Sequence, residues 1–185
     1  MKICIDPGHG QKDSGAIGGG LREKDLALQA AIWLKEGIHQ AVPFKHQFVW
    51  TRTTDTYPLL NARVDLARRT NCDLFLSIHA NSAGNNPNPR GVEALVQKGD
   101  ARSFELARRI IHTWRGLDPR VVFRQRIVIE RPNPTQGGLA VLRGTWRHMP
   151  AVLLEIGFIS NPQNRILMQD ADYCLNLGRA LARLL

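Results

Sequence analysis

The sequence contains no apolar run long enough to cross a bilayer. A crossing helix needs about 20 consecutive apolar residues, and polar residues interrupt every apolar stretch of this 185-residue chain well before that length. The first ten residues, MKICIDPGHG, hold one lysine and a short apolar run, without the long apolar core of a secretory signal peptide. We expect neither a transmembrane segment nor a signal peptide. The protein then either leaves the cytoplasm by another route or is an excised mature domain.

Cysteine is scarce, and its distribution excludes a disulfide-stabilised fold. The chain has three cysteines, Cys4, Cys72 and Cys174, which lie far apart in apolar surroundings. An odd, sparse set is not the framework of a small secreted protein. We expect buried thiols that pack as small apolar groups.

Acidic residues are too few to balance the basic ones. The chain has 16 Asp and Glu against 25 Lys and Arg, a net charge of +9. This excess favours anionic partners such as nucleic acid, a phosphate-bearing wall polymer or a lipid surface. Zinc-finger spacing, aromatic RNA-binding motifs and compact basic runs are all absent from the sequence. We therefore expect no specific nucleic-acid binding, and an anionic wall polymer remains a candidate partner.

Short apolar runs alternate with amphipathic helical patterns along the chain. The runs lack strict polar–apolar alternation, which is typical of strands buried on both faces of a sheet. We predict strands at residues 2–6, 47–51, 74–79, 92–97, 139–142 and 151–155. Residues 116–130 have no assignment beyond a candidate irregular strand. The pattern predicts an α/β fold, a single domain over residues 1–185 with a mostly parallel, six-stranded twisted sheet and helices on both faces.

Polar residues follow the predicted strands at one edge of this sheet. His9 lies just beyond the first strand, His79 ends the strand at 74–79, and Glu155 ends the strand at 151–155. Glu23 begins the first long helix, which must run back antiparallel to the strands. Ligands of open parallel sheets gather at the carboxyl ends of the strands. We therefore expect these four side chains to converge.

Two imidazoles and a carboxylate suit a catalytic zinc ion (Zn2+), which keeps its fourth coordination position for water. A second carboxylate nearby could accept the proton of that water and deliver it to a leaving nitrogen. Strand topology alone does not decide which carboxylate, Glu23 or Glu155, binds the metal.

Six short motifs fall in the order typical of one enzyme family. They are DPGHG at 6–10, GA at 15–16, EKD at 23–25, TR at 51–52, SIHAN at 77–81 and EIGFISN at 155–161. On these motifs, which extend over nearly the whole chain, the sequence resembles the zinc-dependent N-acetylmuramoyl-L-alanine amidases of the amidase-3 type. The resemblance implies that His9, Glu23 and His79 bind zinc and that Glu155 is the catalytic carboxylate.

The same resemblance implies a substrate and a reaction. Such an enzyme hydrolyses the amide bond between N-acetylmuramic acid and the L-alanine of the peptidoglycan stem peptide, in cell-wall lysis or remodelling. Two alternatives stay open: a non-catalytic peptidoglycan-binding module of the same fold, and another zinc peptidoglycan hydrolase, either a carboxypeptidase or a deacetylase. We expect a monomer that acts at the periplasm or cell wall. The missing signal peptide favours a phage or prophage lysin, an endolysin released from the cytoplasm through a membrane lesion.

Several residues near the motifs have more than one interpretation. Asn81 either caps the turn after its strand or contacts the peptide carbonyl of the substrate. Arg52 and Arg63 are expected to form structural salt bridges rather than to bind a substrate carboxylate. Gly8 and Gly10 flank His9 and are expected to let a bulky glycopeptide approach the metal. Some family members carry an insertion whose helix blocks the zinc; residues 130–139 are too few for it, so the resemblance implies an open site.

Overall fold

The computed structural model describes residues 1–114, 116–120, 123–131 and 140–185. These segments contain both strands and helices. The strands are β1 (Lys2–Pro7), β2 (Ile17–Gly18), β3 (Leu21–Arg22), β4 (Gln47–Trp50), β5 (Leu74–Asn81), β6 (Val92–Gln97), β7 (Phe123–Arg131) and β8 (Ala151–Phe158). The helices are α1 (Glu23–Ala41), α2 (Leu60–Arg69), α3 (Ala101–Trp114), α4 (Ala140–Thr145), α5 (Pro162–Met168) and α6 (Ala171–Ala182).

One sheet holds the strands in the order β4-β1-β5-β8-β6-β7, and β2 pairs with β3 in a separate antiparallel hairpin. β1 is parallel to β4 and β5, and β5 is parallel to β8. β6 is antiparallel to β8 and parallel to β7. The carboxyl ends of β1, β4, β5 and β8 therefore share one edge of the sheet. The predicted α/β class and mostly parallel sheet are confirmed.

One of the predicted strands is wrong. Residues 140–142 belong to α4 instead of a strand, and residue 139 lies outside the described residues. Val141, Leu142 and Thr145 are all buried, and their spacing of three and four residues places them on one face of a helix. A four-residue apolar run does not distinguish a strand from a short buried helix. The sixth strand of the sheet is β7, which overlaps the segment 116–130 that the sequence offers as a candidate irregular strand.

Helices cover both faces of the sheet, as predicted. Leu74, Leu76 and Ile78 of β5 share one apolar core with α1, α3 and α6. Phe75 points to the opposite face, where its core includes residues of α2 and α4. Within the described part of the chain, no helix combines the length and apolar character needed to cross a bilayer.

The three cysteines are free and buried, as predicted. Burial, with a smaller contribution from the negative charge of Asp170, raises the pKa of the Cys174 thiol to about 12. Burial also raises the pKa of Cys4 far above its usual value. Both thiols therefore stay protonated and act as apolar packing groups.

Candidate metal centre

On the face covered by α2 and α4, the apolar core gives way to polar side chains toward the carboxyl ends of the strands. Along β5, Phe75 lies in that core, whereas Ser77, His79 and Asn81 follow it on the same face, because alternate residues of a strand share a side. His79 is in register with Glu155 of β8. Neighbouring strands lie about 4.8 Å apart, so these two predicted site residues are adjacent.

The structure brings His9, Glu23 and His79 together at this edge. His9 Nε2 lies 3.0 Å from Glu23 Oε1, and His79 Nδ1 lies 2.9 Å from the same oxygen. The two imidazole rings meet edge to face, with their centroids 5.0 Å apart. One potential ligand atom from each residue lies within 4.8 Å of the other two.

Glu23 is fixed by the start of α1 and by two backbone amides. Its Oε2 accepts a hydrogen bond from Ala16 N at 2.9 Å, and its Oε1 accepts one from Ala80 N at 3.2 Å. Burial alone would raise the pKa of this carboxyl, but hydrogen bonds to His79 and His9 outweigh burial and hold it far below its usual value. Glu23 is therefore an ionised, 6% exposed carboxylate aimed at two imidazoles.

Asp13 is a site residue that the sequence reasoning missed. Its Oδ2 lies 2.9 Å from His9 Nδ1, so His9 meets a carboxylate at each ring nitrogen. Burial lowers the pKa of His9, but the interactions with Glu23 and Asp13 outweigh it and leave that pKa raised. A carboxylate on the distal nitrogen fixes the orientation of a metal-binding imidazole. The only signal in the sequence was a carboxylate four residues after His9.

The arrangement fits a zinc ion. Two imidazole nitrogens and one carboxylate oxygen are a known catalytic zinc set, and imidazole suits zinc better than magnesium or calcium. The protein also leaves room for the rings to meet, because an added Cβ on Gly8 would lie 2.5 Å from His79 Nε2.

The glycines beside His9 therefore serve a different purpose from the expected one. The space at Gly8 is occupied by the His79 imidazole, and a Cβ on Gly10 would overlap the carbonyl oxygen of Thr56. The expectation that they admit a glycopeptide is wrong, since protein atoms fill both positions. Their absent side chains instead allow the His9 segment to pack against β5 and the loop after β4.

A cleft of about 250 Å³ lies against His9 and His79. Its lining is mixed: apolar side chains come from α2, α4 and the loop before α2, while a buried ion pair joins Arg63 Nη1 to Asp6 Oδ1 at 2.8 Å. The other lining residues are Gly8, Asp13, Tyr57, Leu60 and Val141. Residues 132–139, on which the expectation of an open, uninhibited site depends, lie outside the described residues.

Asn81 caps the turn after β5. Its Oδ1 accepts a hydrogen bond from Ser82 N at 2.8 Å, and its Nδ2 donates one to Glu93 Oε2 at 2.8 Å. Glu93 is directly opposite Glu155 in the antiparallel pair of β6 and β8, a placement that sequence reasoning did not foresee. A substrate contact by Asn81 stays a prediction.

Arg63 forms the structural salt bridge expected of it, but Arg52 binds backbone carbonyl oxygens instead of a carboxylate. Arg63 forms the salt bridge with Asp6, whereas Arg52 donates to the carbonyl oxygens of Pro7, Gly8, Lys24 and Thr54.

Comparison with known proteins agrees with this geometry. Residues 3–185 match the family described as N-acetylmuramoyl-L-alanine amidase. The sporulation-specific N-acetylmuramoyl-L-alanine amidase of Bacillus subtilis (strain 168) is 32% identical over 98% of this chain, and the endolysin of Bacillus phage SPP1 is 30% identical over 92%. The chain spans 66% and 59%, respectively, of the lengths of these relatives. The structure of the N-acetylmuramoyl-L-alanine amidase AmiC2 of Nostoc punctiforme superposes with a TM-score of 0.82 at 32% identity, over 99% of this chain and 93% of that one. The chain belongs to the N-acetylmuramoyl-L-alanine amidase family.

Proposed function

We propose that residues 1–185 form a single catalytic domain of a zinc-dependent amidase. It hydrolyses the amide bond between the lactyl group of N-acetylmuramic acid and the L-alanine of the peptidoglycan stem peptide. The observation that carries the proposal is the set of three ligand atoms within 4.8 Å of one another, beside a glutamate in register with one of the histidines. Membership of the amidase family supports the same bond and the same polymer.

His9, Glu23 and His79 would hold the zinc ion. When bound, zinc lowers the pKa of a coordinated water to about 7 and polarises a carbonyl group. Asp13 holds the His9 ring with Nε2 facing the centre, and the amides of Ala16 and Ala80 hold the Glu23 carboxylate. These contacts fix the ligand atoms before substrate binds.

Glu155 would be the general base and acid. It accepts the proton of the attacking water as the new carbon–oxygen bond forms, and delivers a proton to the alanine nitrogen as the carbon–nitrogen bond breaks. The products are a free lactyl carboxyl group and a stem peptide with a new amino terminus. The position of Glu155, in register with His79 on the neighbouring strand, supports this role.

The cleft beside the two histidines would hold the substrate. Tyr57, Leu60 and Val141 supply apolar surface next to His9 and His79. Apolar surface at the scissile amide excludes bulk water and orients the substrate. Asn81, whose amide lies two residues beyond His79 on β5, remains a candidate substrate contact.

A muropeptide digest read by mass, with and without a chelator, tests the activity. We expect release of intact stem peptides with free L-alanine amino termini, and loss of that release on chelation. Loss of a terminal D-alanine would identify a carboxypeptidase, and loss of acetyl groups would identify a deacetylase. Sedimentation with cell walls without any new amino termini would identify a binding module.

The variant Glu155→Gln tests the proton transfer. It removes the base while keeping the size of the side chain, so zinc should still bind at one equivalent while stem-peptide release falls by about 100-fold or more. Glu105→Gln, at an exposed position of α3 where Glu105 pairs with Arg108, is the matched control and should retain activity. Undiminished activity of Glu155→Gln would refute the role of Glu155.

We also propose that the protein acts as a monomer on peptidoglycan outside the cytoplasm, with anionic wall polymers as additional partners of its basic surface. Similarity to a phage endolysin supports a lytic role. A lysin that crosses a membrane lesion should not lyse cells that merely express it. We expect such cells to lyse only once their inner membrane has been permeabilised. Lysis without permeabilisation would contradict that route.

A further inference from the structure

Two buried arginines hold the backbone that carries His9. Arg52, which is 4% exposed, donates from Nε to Pro7 O at 3.0 Å and from Nη2 to Gly8 O at 2.6 Å. Arg63, which is 2% exposed, donates from Nη1 to Pro7 O and from Nη2 to His9 O, both at 2.7 Å. Two guanidinium groups thus bind three successive carbonyl oxygens. We call Arg52 and Arg63 the arginine clamp.

The clamp also reaches the element that carries Glu23. Arg52 Nη2, which binds the carbonyl of Gly8, donates as well to Lys24 O at 2.7 Å. Gly8 precedes His9, and Lys24 follows Glu23. A single nitrogen therefore fixes the spacing between the backbone neighbours of two proposed ligands.

Arg63 extends the same connection to the strand of His79. Its Nη1 donates to Asp6 Oδ1 at 2.8 Å, and the other oxygen of Asp6 accepts from Ser77 Oγ at 2.7 Å. Ser77 lies two residues before His79 on β5, on the same face of the strand. Asp6 and Ser77 are fully buried, so this connection runs through the interior.

His9 needs such support because its backbone is in the left-handed region, with φ of 62°. Residues with a side chain rarely adopt this conformation, and it persists only where the surroundings enforce it. A relaxed backbone would turn the imidazole away from Glu23. Metal sites tolerate deviations of only about 0.2 Å in ligand distance.

We propose that Arg52 and Arg63 are positioning residues for the metal centre, which hold His9, Glu23 and His79 at metal-binding spacing before the metal is bound. This inference rests on the proposed zinc-dependent function. The planar, forked guanidinium is essential to it, because an ammonium of equal charge has no fixed fork with which to bind several oxygens at set angles. A merely structural pair of arginines would contribute to stability and leave metal affinity unchanged.

The variants Arg52→Lys and Arg63→Lys separate these roles, since each keeps the charge and loses the fork. Zinc affinity is measured by competition with a chromophoric chelator, and ligand geometry by the visible absorption of the cobalt-substituted protein. We expect each variant to bind zinc about 10- to 100-fold more weakly than the wild type, with an altered cobalt spectrum.

Ser103→Ala is the matched control. Ser103 is fully buried on α3, where its Oγ accepts from Ala151 N at 2.7 Å and donates to Asp100. Its loss should lower stability while leaving zinc affinity and the cobalt spectrum unchanged. Wild-type zinc affinity in both lysine variants, at a temperature where all proteins are folded, would overturn the inference. A wild-type protein that binds no zinc would instead refute the proposed function.

Hydrogen exchange on the metal-free wild type tests the clamp even where a variant fails to fold. Gly8 N donates to Ile78 O at 2.9 Å and Gly10 N to Asp13 O at 2.9 Å. A clamp that acts before the metal binds should protect both amides in the metal-free protein. Rapid exchange of these amides, at the rate of an open loop, would overturn the inference whether or not zinc binds.

Discussion

Replacing Gly8 with alanine should damage the metal centre while leaving the sheet intact. Gly8 is not among the residues with positive φ, so its backbone accepts alanine. The new Cβ, however, would lie 2.5 Å from His79 Nε2 and 2.7 Å from His79 Nδ1. The methyl group therefore collides with one of the proposed ligands.

The size of the effect follows from these distances. Non-bonded heavy atoms meet comfortably at about 3.5 Å, so the imidazole must retreat by about 1 Å from a contact of 2.5 Å. Its Nδ1 then loses the 2.9 Å contact with Glu23 Oε1. Since metal sites tolerate about 0.2 Å, we expect zinc affinity to fall by about 100-fold or more, which is about 2.7 kcal/mol. Overpacking should lower the free energy of unfolding by about 1–3 kcal/mol.

Zinc competition titrations and stem-peptide release, measured on the same preparation, check this expectation. The control is Gly178→Ala, whose Cβ would overlap the carbonyl oxygen of Leu34 between α6 and α1. Leu34 lies about 16 Å along α1 from Glu23, so this variant should lose stability and keep its zinc affinity. Wild-type zinc affinity in Gly8→Ala would show that His79 is not held against Gly8, and would refute the reasoning.

Two further predictions concern stability. Asn164, 3% exposed, accepts backbone hydrogen bonds through Oδ1 from Gly91 N at 2.8 Å and Phe158 N at 3.0 Å. Asn164→Ala leaves both donors without this acceptor, so the free energy of unfolding measured in urea should fall by about 2–4 kcal/mol. The control Gln163→Ala, at the exposed neighbouring position, should lower it by about 0.5 kcal/mol or less. Equal losses in the two variants would contradict the role of Asn164 as a hydrogen-bond acceptor. Chelating zinc from protein saturated at about 100 times its Kd should remove about 2.7 kcal/mol of stability and lower Tm by about 5–10 °C. An unchanged Tm would contradict a zinc site specific to the folded state.

The convergence of the site could be predicted because it depends only on strand direction. His9 follows β1, and His79 and Glu155 lie in register on β5 and β8, which are parallel. Buried parallel strands leave strong apolar runs in a sequence, so their ends could be located to within about three residues. The position of Glu23 could be predicted with one further inference, because a helix that runs back from the end of β1 begins at the same edge of the sheet.

Contacts to backbone atoms could not be predicted. Arg52 and Arg63 bind carbonyl oxygens, which every residue possesses, so no partner residue type marks them in the sequence. The direction of β6 was equally hidden, because an apolar run has the same pattern whichever way the strand runs. Only the paired register with β8 shows that Glu93 faces Glu155.

The contacts around the candidate metal centre also explain how the sheet tolerates several buried or partly buried polar side chains at one edge. A buried polar side chain is costly unless it is hydrogen-bonded. Three polar side chains of β5 have partners from other elements: Ser77 binds Asp6, Asn81 binds Glu93, and His79 meets Glu23. Because these partners come from β1, β6 and α1, the polar edge stabilises the packing of those elements instead of opposing it. The fold can therefore keep the side chains of the proposed ligands together at the end of an apolar core, beside the cleft that Tyr57, Leu60 and Val141 line.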